Sequence, residues 1–91
     1  MKQAPKSVSV EKISFADHNL LKNLCGEHDK HLKLIENLEP VKIKAWGNNI
    51  TVSGKIGNVR KISTMLLQLY SIMEKGWHIH SSDIDYAHRI L

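Results

Sequence analysis

The fold is decided by one continuous stretch, Val41-Lys42-Ile43-Lys44-Ala45-Trp46-Gly47-Asn48-Asn49-Ile50-Thr51-Val52-Ser53-Gly54. Its apolar residues alternate with lysines in the first half and with hydroxyl residues in the second, as in strands that are buried on one face. Gly47-Asn48-Asn49 separates the halves and is a turn signal, because glycine and asparagine tolerate positive φ. The stretch therefore predicts a β-hairpin with one buried and one wet face.

A further strand is predicted upstream, between Val8 and Phe15. Its residues alternate, but Val8 and Val10 are out of phase with Ile13 and Phe15. Either a β-bulge shifts the phase within this segment, or only one half of it forms a strand.

Two helices are predicted between this strand and the hairpin. Asp17 can cap the first, whose apolar residues follow at helical spacing up to Cys25, and Gly26 ends it. Asp29 can cap the second helix. Pro40 ends that helix, because proline disfavours helical geometry at the preceding residue.

Two more helices are predicted after the hairpin. An apolar stripe indicates a long helix from about Asn58 to Lys75, with Gly76 as its C-terminal cap. Ser82 and Asp85 have the spacing of a capping box and predict a last, short helix.

The predicted element order is therefore β-α-α-β-β-α-α. It indicates the α+β class, with a three-stranded, antiparallel or mixed sheet and helices packed on one face. The other face of the sheet stays wet, which accounts for the polar residues of the hairpin: Lys42, Lys44, Thr51 and Ser53.

The composition indicates one globular domain. The chain has 91 residues, 42% of them hydrophobic and 24% charged. We expect residues 1–7 to be a flexible lead-in and residues 8–91 to form the domain. The apolar stretches are too short for a membrane span and no signal peptide is recognisable, so no membrane partner is expected. Cys25 is the single cysteine, which favours the cytoplasm, and the formal net charge of +4 is compatible with nucleic acid.

Two stretches of the sequence resemble the opening of PhoH-like proteins. The first contains Phe15-Ala16-Asp17, then Leu24-Cys25-Gly26-Glu27-His28-Asp29, then Leu32-Lys33-Leu34-Ile35-Glu36. The second is Ala45-Trp46-Gly47-Asn48-Asn49, followed by Val52-Ser53-Gly54. Both occur in the order typical of that family, within residues 8–91.

PhoH-like proteins place a small KH-like domain before a linker and a P-loop ATPase domain. The resemblance therefore implies that residues 8–91 are a KH-like, non-catalytic accessory domain that binds single-stranded RNA for the parent ATPase. The chain contains no Gly-x-x-x-x-Gly-Lys-Ser/Thr sequence to cradle the phosphates of ATP, so we expect no enzyme activity from it. No cofactor is expected for this chain, and ATP and magnesium are expected only for the absent C-terminal ATPase domain.

The resemblance to KH domains also implies a site. In those domains a Gly-x-x-Gly loop between two helices lets the backbone approach the phosphates of a nucleic acid. Gly26-Glu27-His28-Asp29 occupies the equivalent place, with Asp29 replacing the second glycine and Glu27 adding another carboxylate. Basic residues surround this loop and follow the second strand, and Trp46 offers a face for base stacking. The predicted nucleic-acid-binding residues are Lys22, Gly26, Glu27, His28, Asp29, Lys30, His31, Lys33, Lys42, Lys44 and Trp46.

These residues also have purely structural interpretations. Gly26 and Asp29 can serve only as helix caps, the lysines can be a solvated face, and Trp46 can be a packing partner in the hairpin. An alternative function therefore stays open. In it, the chain is a protein-interaction or oligomerisation module that docks on the ATPase domain and binds no nucleic acid.

The remaining chemistry-bearing residues predict no further site. His28-x-x-His31 and His78-x-His80 lack a ligand set with zinc spacing, so no metal is expected. We place His78 and His80 in a loop, with Trp77 against the core. Cys25 is interpreted as a small core residue.

Overall fold

The computed structural model describes residues 8–91, which form three strands and four α-helices. A 3-10 turn at Glu27–Asp29 joins the first two helices. The predicted element order and the α+β class are confirmed, and the lead-in predicted for residues 1–7 lies outside the described residues. The elements are β1 (Val8–Ser14), α1 (His18–Cys25), α2 (Lys30–Leu38), β2 (Val41–Trp46), β3 (Asn49–Lys55), α3 (Ile56–Glu74) and α4 (Ser81–Ile90).

The sheet is antiparallel throughout, with the order β1-β3-β2. β2 and β3 form the predicted hairpin, in which Trp46 pairs with Asn49 across a two-residue turn. Gly47 has a φ of 59° in this turn, which its missing Cβ makes inexpensive. Because β3 is central, β1 and β2 are both edge strands.

One face of the sheet carries the core. Ile13, Ile50 and Val52 point to this face and are buried against the helices, where each buried aliphatic side chain contributes about 1.5–3 kcal/mol. α3 packs on β1 and β3, and α2 packs on β2. The fully buried side chains of the helices are Leu24, Ile35, Val59, Ile62, Met65, Leu66 and Ile84.

β1 departs from both alternatives predicted for it. Its pairing with β3 is uninterrupted from Val8 opposite Lys55 to Ser14 opposite Asn49, so there is no bulge and the whole segment is a strand. Val8 and Val10 simply lie on the wet face, where they are 55% and 65% exposed. The two valines follow the strand preference of β-branched residues without being buried.

The structure differs from the predictions at two helix ends and at the side chain of Trp77. α3 begins at Ile56, directly after β3, rather than near Asn58. The capping box of α4 is formed by His80 and Asp83, and in it the His80 N–H donates to Asp83 Oδ2 at 2.8 Å. This pair lies two residues before the predicted Ser82–Asp85 pair. Trp77 is 69% exposed, so the prediction that it packs against the core is wrong.

Candidate nucleic-acid interface

The loop between α1 and α2 has an unusual backbone. Gly26 ends α1 with a φ of 81°, and its N–H donates to the Lys22 carbonyl at 3.0 Å. His28 and Asp29 follow with φ values of 56° and 58°, in the left-handed region that non-glycine residues seldom adopt. Asp29 does precede α2, but its carboxylate makes no capping hydrogen bond, in contrast to the prediction. Asp17, by comparison, accepts from the N–H groups of Asn19 and Leu20 as predicted.

The buried side chain of His31 packs against this loop on the core side. Its side chain is 3% exposed, and Nδ1 lies 3.1 Å from the Leu24 carbonyl oxygen, which can only accept, so Nδ1 carries the proton. A Cβ at Gly26 would lie 2.9 Å from His31 Cγ and Nδ1. The close packing of this ring therefore requires glycine at position 26.

An open groove of about 640 Å³ lies between α1, this loop and the tip of the hairpin. Leu21, Cys25 and Ala45 contribute apolar surface to it, and His18, Lys22 and His28 contribute nitrogen donors. We call this the α1 groove. Its lining is His18, Leu21, Lys22, Asn23, Cys25, Gly26, Glu27, His28, Asp29, Ala45 and Gly47.

The two walls of the α1 groove are tied together by hydrogen bonds. His18 Nδ1 lies 2.8 Å from Asn48 Oδ1, which joins the start of α1 to the hairpin turn. The Phe15 N–H donates to the Asn48 carbonyl at 2.8 Å. On the core side, the Asp17 N–H donates to the Tyr70 hydroxyl at 2.9 Å. The groove is therefore a preformed feature of the packed domain.

The edge strand β2 borders the α1 groove. The Ile43 N–H points to the free edge, where it donates to Glu36 Oε2 of α2 at 2.7 Å. Because backbone groups alternate between the two edges of a strand, the N–H and C=O of Ala45 point to the same edge, beside the groove. A donor and an acceptor of the main chain thus lie next to the apolar floor.

The charges of the α1 groove are mixed. Lys22 stands on one rim, while the loop carries the carboxylates of Glu27 and Asp29. Burial, and secondly the negative charge of Asp29, raise the pKa of the Cys25 thiol from 9.0 to about 11. Cys25 is therefore protonated at neutral pH and serves as part of the apolar floor, in line with its interpretation as a core residue.

The structure brings five of the predicted site residues together in the α1 groove: Lys22, Gly26, Glu27, His28 and Asp29. Lys30 and His31 line a smaller depression of about 230 Å³ on the other side of the loop, shared with His78 and His80. Lys33 is exposed on α2 and lines neither of them.

The other three predicted residues lie on the opposite surface. Lys42, Lys44 and Trp46 alternate with Val41, Ile43 and Ala45 along β2, so their side chains point to the wet face of the sheet. They belong to a separate surface and do not line the α1 groove. His18, Leu21, Ala45 and Gly47, which do line it, were not among the predicted residues. The alternation along β2 already contained the signal that Ala45, rather than Lys44 or Trp46, faces α1.

Within residues 8–91, no three histidine, cysteine or acidic side chains come together as metal ligands would. None of the helices in that range is both long and apolar enough to cross a membrane.

Comparison with known proteins supports the fold alone. No protein-family model and no curated protein matches the chain. Among solved structures, it is similar to a crystal structure of a protein of unknown function from Aeropyrum pernix, with a TM-score of 0.70 and 16% identity. The similarity covers 94% of this chain and 48% of that chain, so this chain spans about half the length of that protein.

Proposed function

We propose that this chain is a non-catalytic, KH-like accessory domain that binds a short single strand of RNA in the α1 groove. The observation that carries the proposal is the groove itself, in which an apolar floor lies between basic donors and the free edge of β2. Single-stranded RNA needs these features together, since its bases are unstacked and its backbone is anionic.

The groove offers a separate role to each of its walls. Ala45, which is exposed, and the small accessible parts of Leu21 and Cys25 provide an apolar surface for the face of one base. The main-chain N–H and C=O of Ala45 can exchange hydrogen bonds with the edge of a base. Lys22 and the imidazole of His18, both on α1, are placed to contact phosphates.

The two carboxylates of the loop fix the side on which the strand runs. A phosphate about 4 Å from Glu27 or Asp29 would be repelled by roughly 1 kcal/mol even in water. The sugar-phosphate backbone is therefore expected along the α1 rim, beside Lys22, and not over the loop as in domains with Gly-x-x-Gly.

The two stretches that resemble PhoH-like proteins support the assignment of a parent. On this proposal the domain presents RNA to a C-terminal P-loop ATPase domain in the cytoplasm. ATP and magnesium then bind the parent's ATPase domain, and this chain itself has neither a cofactor nor a metal.

The test is an NMR titration of this chain with a four-nucleotide RNA, at low and then at high salt. We expect RNA to change the chemical shifts of the backbone amides from Leu21 to Asp29 and at Ala45 and Gly47, and we expect high salt to reduce these changes. Lys22→Glu should abolish them. Lys75→Glu makes the same charge change at an exposed position that does not line the groove, and it should bind as the unaltered chain does. Unmoved spectra at about 100 µM RNA, the weak end of non-specific binding, would contradict the proposal.

A second candidate function rests on a different surface. Ile72, Trp77, Tyr86 and Ile90 are 41–69% exposed and line an apolar depression of about 250 Å³ between α3 and α4. Exposed apolar patches of this kind are typical of protein interfaces. This depression favours the alternative in which the chain docks on an ATPase domain. Trp77→Ser should then weaken the binding of that domain in a pull-down and leave RNA binding unchanged.

A further inference from the structure

The wet face of the sheet carries a cluster of lysines. Lys12 of β1, Lys42 and Lys44 of β2, and Lys55 of β3 are all exposed there. Lys44 and Lys12 flank Thr51 in one cross-strand row, and Lys42 and Val10 flank Ser53 in the next. We call this surface the lysine face.

The lysine face has no compensating negative charge. Glu11 is the single acidic residue of the three strands, and it is in phase with Ile13, on the other side of β1. Among residues 8–91, none of the four lysines has a carboxylate within 4.0 Å. Strand geometry separates Lys42 from Lys44 by about 7 Å, and Lys44 from Lys12 by about 10 Å. Four unpaired cations at this spacing are complementary to a polyanion.

Trp46 adds a large aromatic surface at the corner of this face. Its side chain is 86% exposed, the highest value among the large apolar residues of the described chain. Its neighbours Ala45 and Gly47 both line the α1 groove, while Trp46 itself points to the lysine face. Since β2 is an edge strand, only the thickness of that strand separates the two surfaces.

We propose that the lysine face continues the path of a single-stranded nucleic acid that leaves the α1 groove around the edge of β2. A base stacks on Trp46, and the following phosphates contact Lys44 and Lys42. The inference rests on the proposed function of the groove and extends it, because it assigns the domain a strand longer than the groove can hold.

The chemistry of the face favours nucleic acid over other polyanions. An acidic peptide would use the lysines, but its carboxylate side chains have no π-face to stack on the exposed indole. A base has a π-face for Trp46 and a phosphate for each lysine, and stacking of this kind is sequence-tolerant. The hydroxyls of Thr51 and Ser53 lie between the lysine rows and can donate to the same phosphates.

The experiment compares a four-nucleotide with a twelve-nucleotide oligouridylate by fluorescence anisotropy, over a range of salt concentrations. Trp46→Ala should weaken the longer strand about 5- to 150-fold and leave the shorter one unchanged. Lys42→Ala with Lys44→Ala should reduce the slope of log K against log salt for the longer strand by about 1.4. Trp77→Ala and Lys75→Ala are the matched controls, since both residues are exposed after the end of α3, and neither lies on the three strands or lines the α1 groove.

The outcomes separate this inference from the proposed function. If the short strand binds and depends on Lys22, but the long strand ignores Trp46, Lys42 and Lys44, the lysine face is excluded and the groove stands. If neither strand binds the unaltered chain, the function proposed for the groove fails, and the inference fails with it. A polyglutamate peptide that competes for the lysine face as strongly as the twelve-nucleotide strand also overturns the inference. All of these substitutions are at exposed positions, and circular dichroism verifies that each variant is folded.

Discussion

Replacing Gly26 by alanine tests whether the packing beneath the loop determines its shape. The backbone of Gly26, with φ 81° and ψ 166°, lies in a region that is almost restricted to glycine and costs other residues about 1–3 kcal/mol. The added Cβ would also lie 2.9 Å from the His31 ring, and moving that ring breaks its hydrogen bond to Leu24, worth about 0.5–1.5 kcal/mol. Gly26→Ala should therefore lower the free energy of unfolding by about 2–4 kcal/mol.

Two other glycines provide matched controls for this prediction. Gly47 has a φ of 59° with no atom within 4 Å of an added Cβ, so Gly47→Ala should cost only the backbone strain of about 1–2 kcal/mol. Gly57 lies in α3 with equal space and no positive φ, so Gly57→Ala should stabilise by about 0.5–1 kcal/mol.

The assay is urea and thermal denaturation of the three variants beside the unaltered chain. For a domain of this size, the loss expected in Gly26→Ala corresponds to a fall in Tm of roughly 8–30 °C. The expected order of stability is Gly57→Ala, unaltered, Gly47→Ala, Gly26→Ala. A Gly26→Ala variant as stable as Gly47→Ala would refute the claim that His31 packs too closely for a side chain.

Two further predictions concern the core side and the floor of the groove. Tyr70→Phe leaves the Asp17 N–H without its acceptor and should lower the free energy of unfolding by about 1 kcal/mol. Tyr86→Phe, at an exposed position, should change the free energy of unfolding by less than about 0.5 kcal/mol. Equal effects of the two substitutions in urea denaturation would contradict this account. The pKa of Cys25 is raised to about 11, so at pH 8 a much smaller fraction of it is the reactive thiolate. Its alkylation at pH 8, followed by mass spectrometry, should therefore be about 100-fold slower than that of a thiol of pKa 9.0. The alkylation should be faster in Asp29→Asn, which removes the negative charge beside the thiol. The raised pKa of Cys25 favours the folded state while the thiol is protonated, so the free energy of unfolding should fall as the pH rises from about 9 towards 11. A thiol that is alkylated equally fast at pH 8 and at pH 10 would contradict the raised pKa.

Local patterns in the sequence predicted most of the fold. The hairpin, the cap at Asp17 and the stop at Gly26 each depend on residues close in sequence, and the structure has them where predicted. The strand β1 was harder, because its valines face solvent and alternation alone cannot tell a wet apolar face from a shift of phase. The exposure of Trp77 depends on how α4 packs against α2 and α3, which no local pattern specifies.

The candidate site was predictable only where its residues are close together in the sequence. Residues of the α1–α2 loop stay together because they are consecutive, so Gly26 to Asp29 appear in one groove. Lys42, Lys44 and Trp46 were grouped with them by charge and type, although their positions along β2 place them on the other face. The left-handed backbone of His28 and Asp29 has only a weak signal in residue types, since histidine and aspartate adopt it more often than other non-glycine residues but still seldom.

The bond between Glu36 and the Ile43 N–H bears on how this domain behaves at high concentration. An edge strand with free backbone donors is a template on which another chain can add a strand, and such additions lead to aggregation. Here a carboxylate of the domain's own helix occupies the central donor of β2 at 2.7 Å, so a foreign strand must first displace a charged hydrogen bond. Self-association by strand addition is thereby opposed along β2.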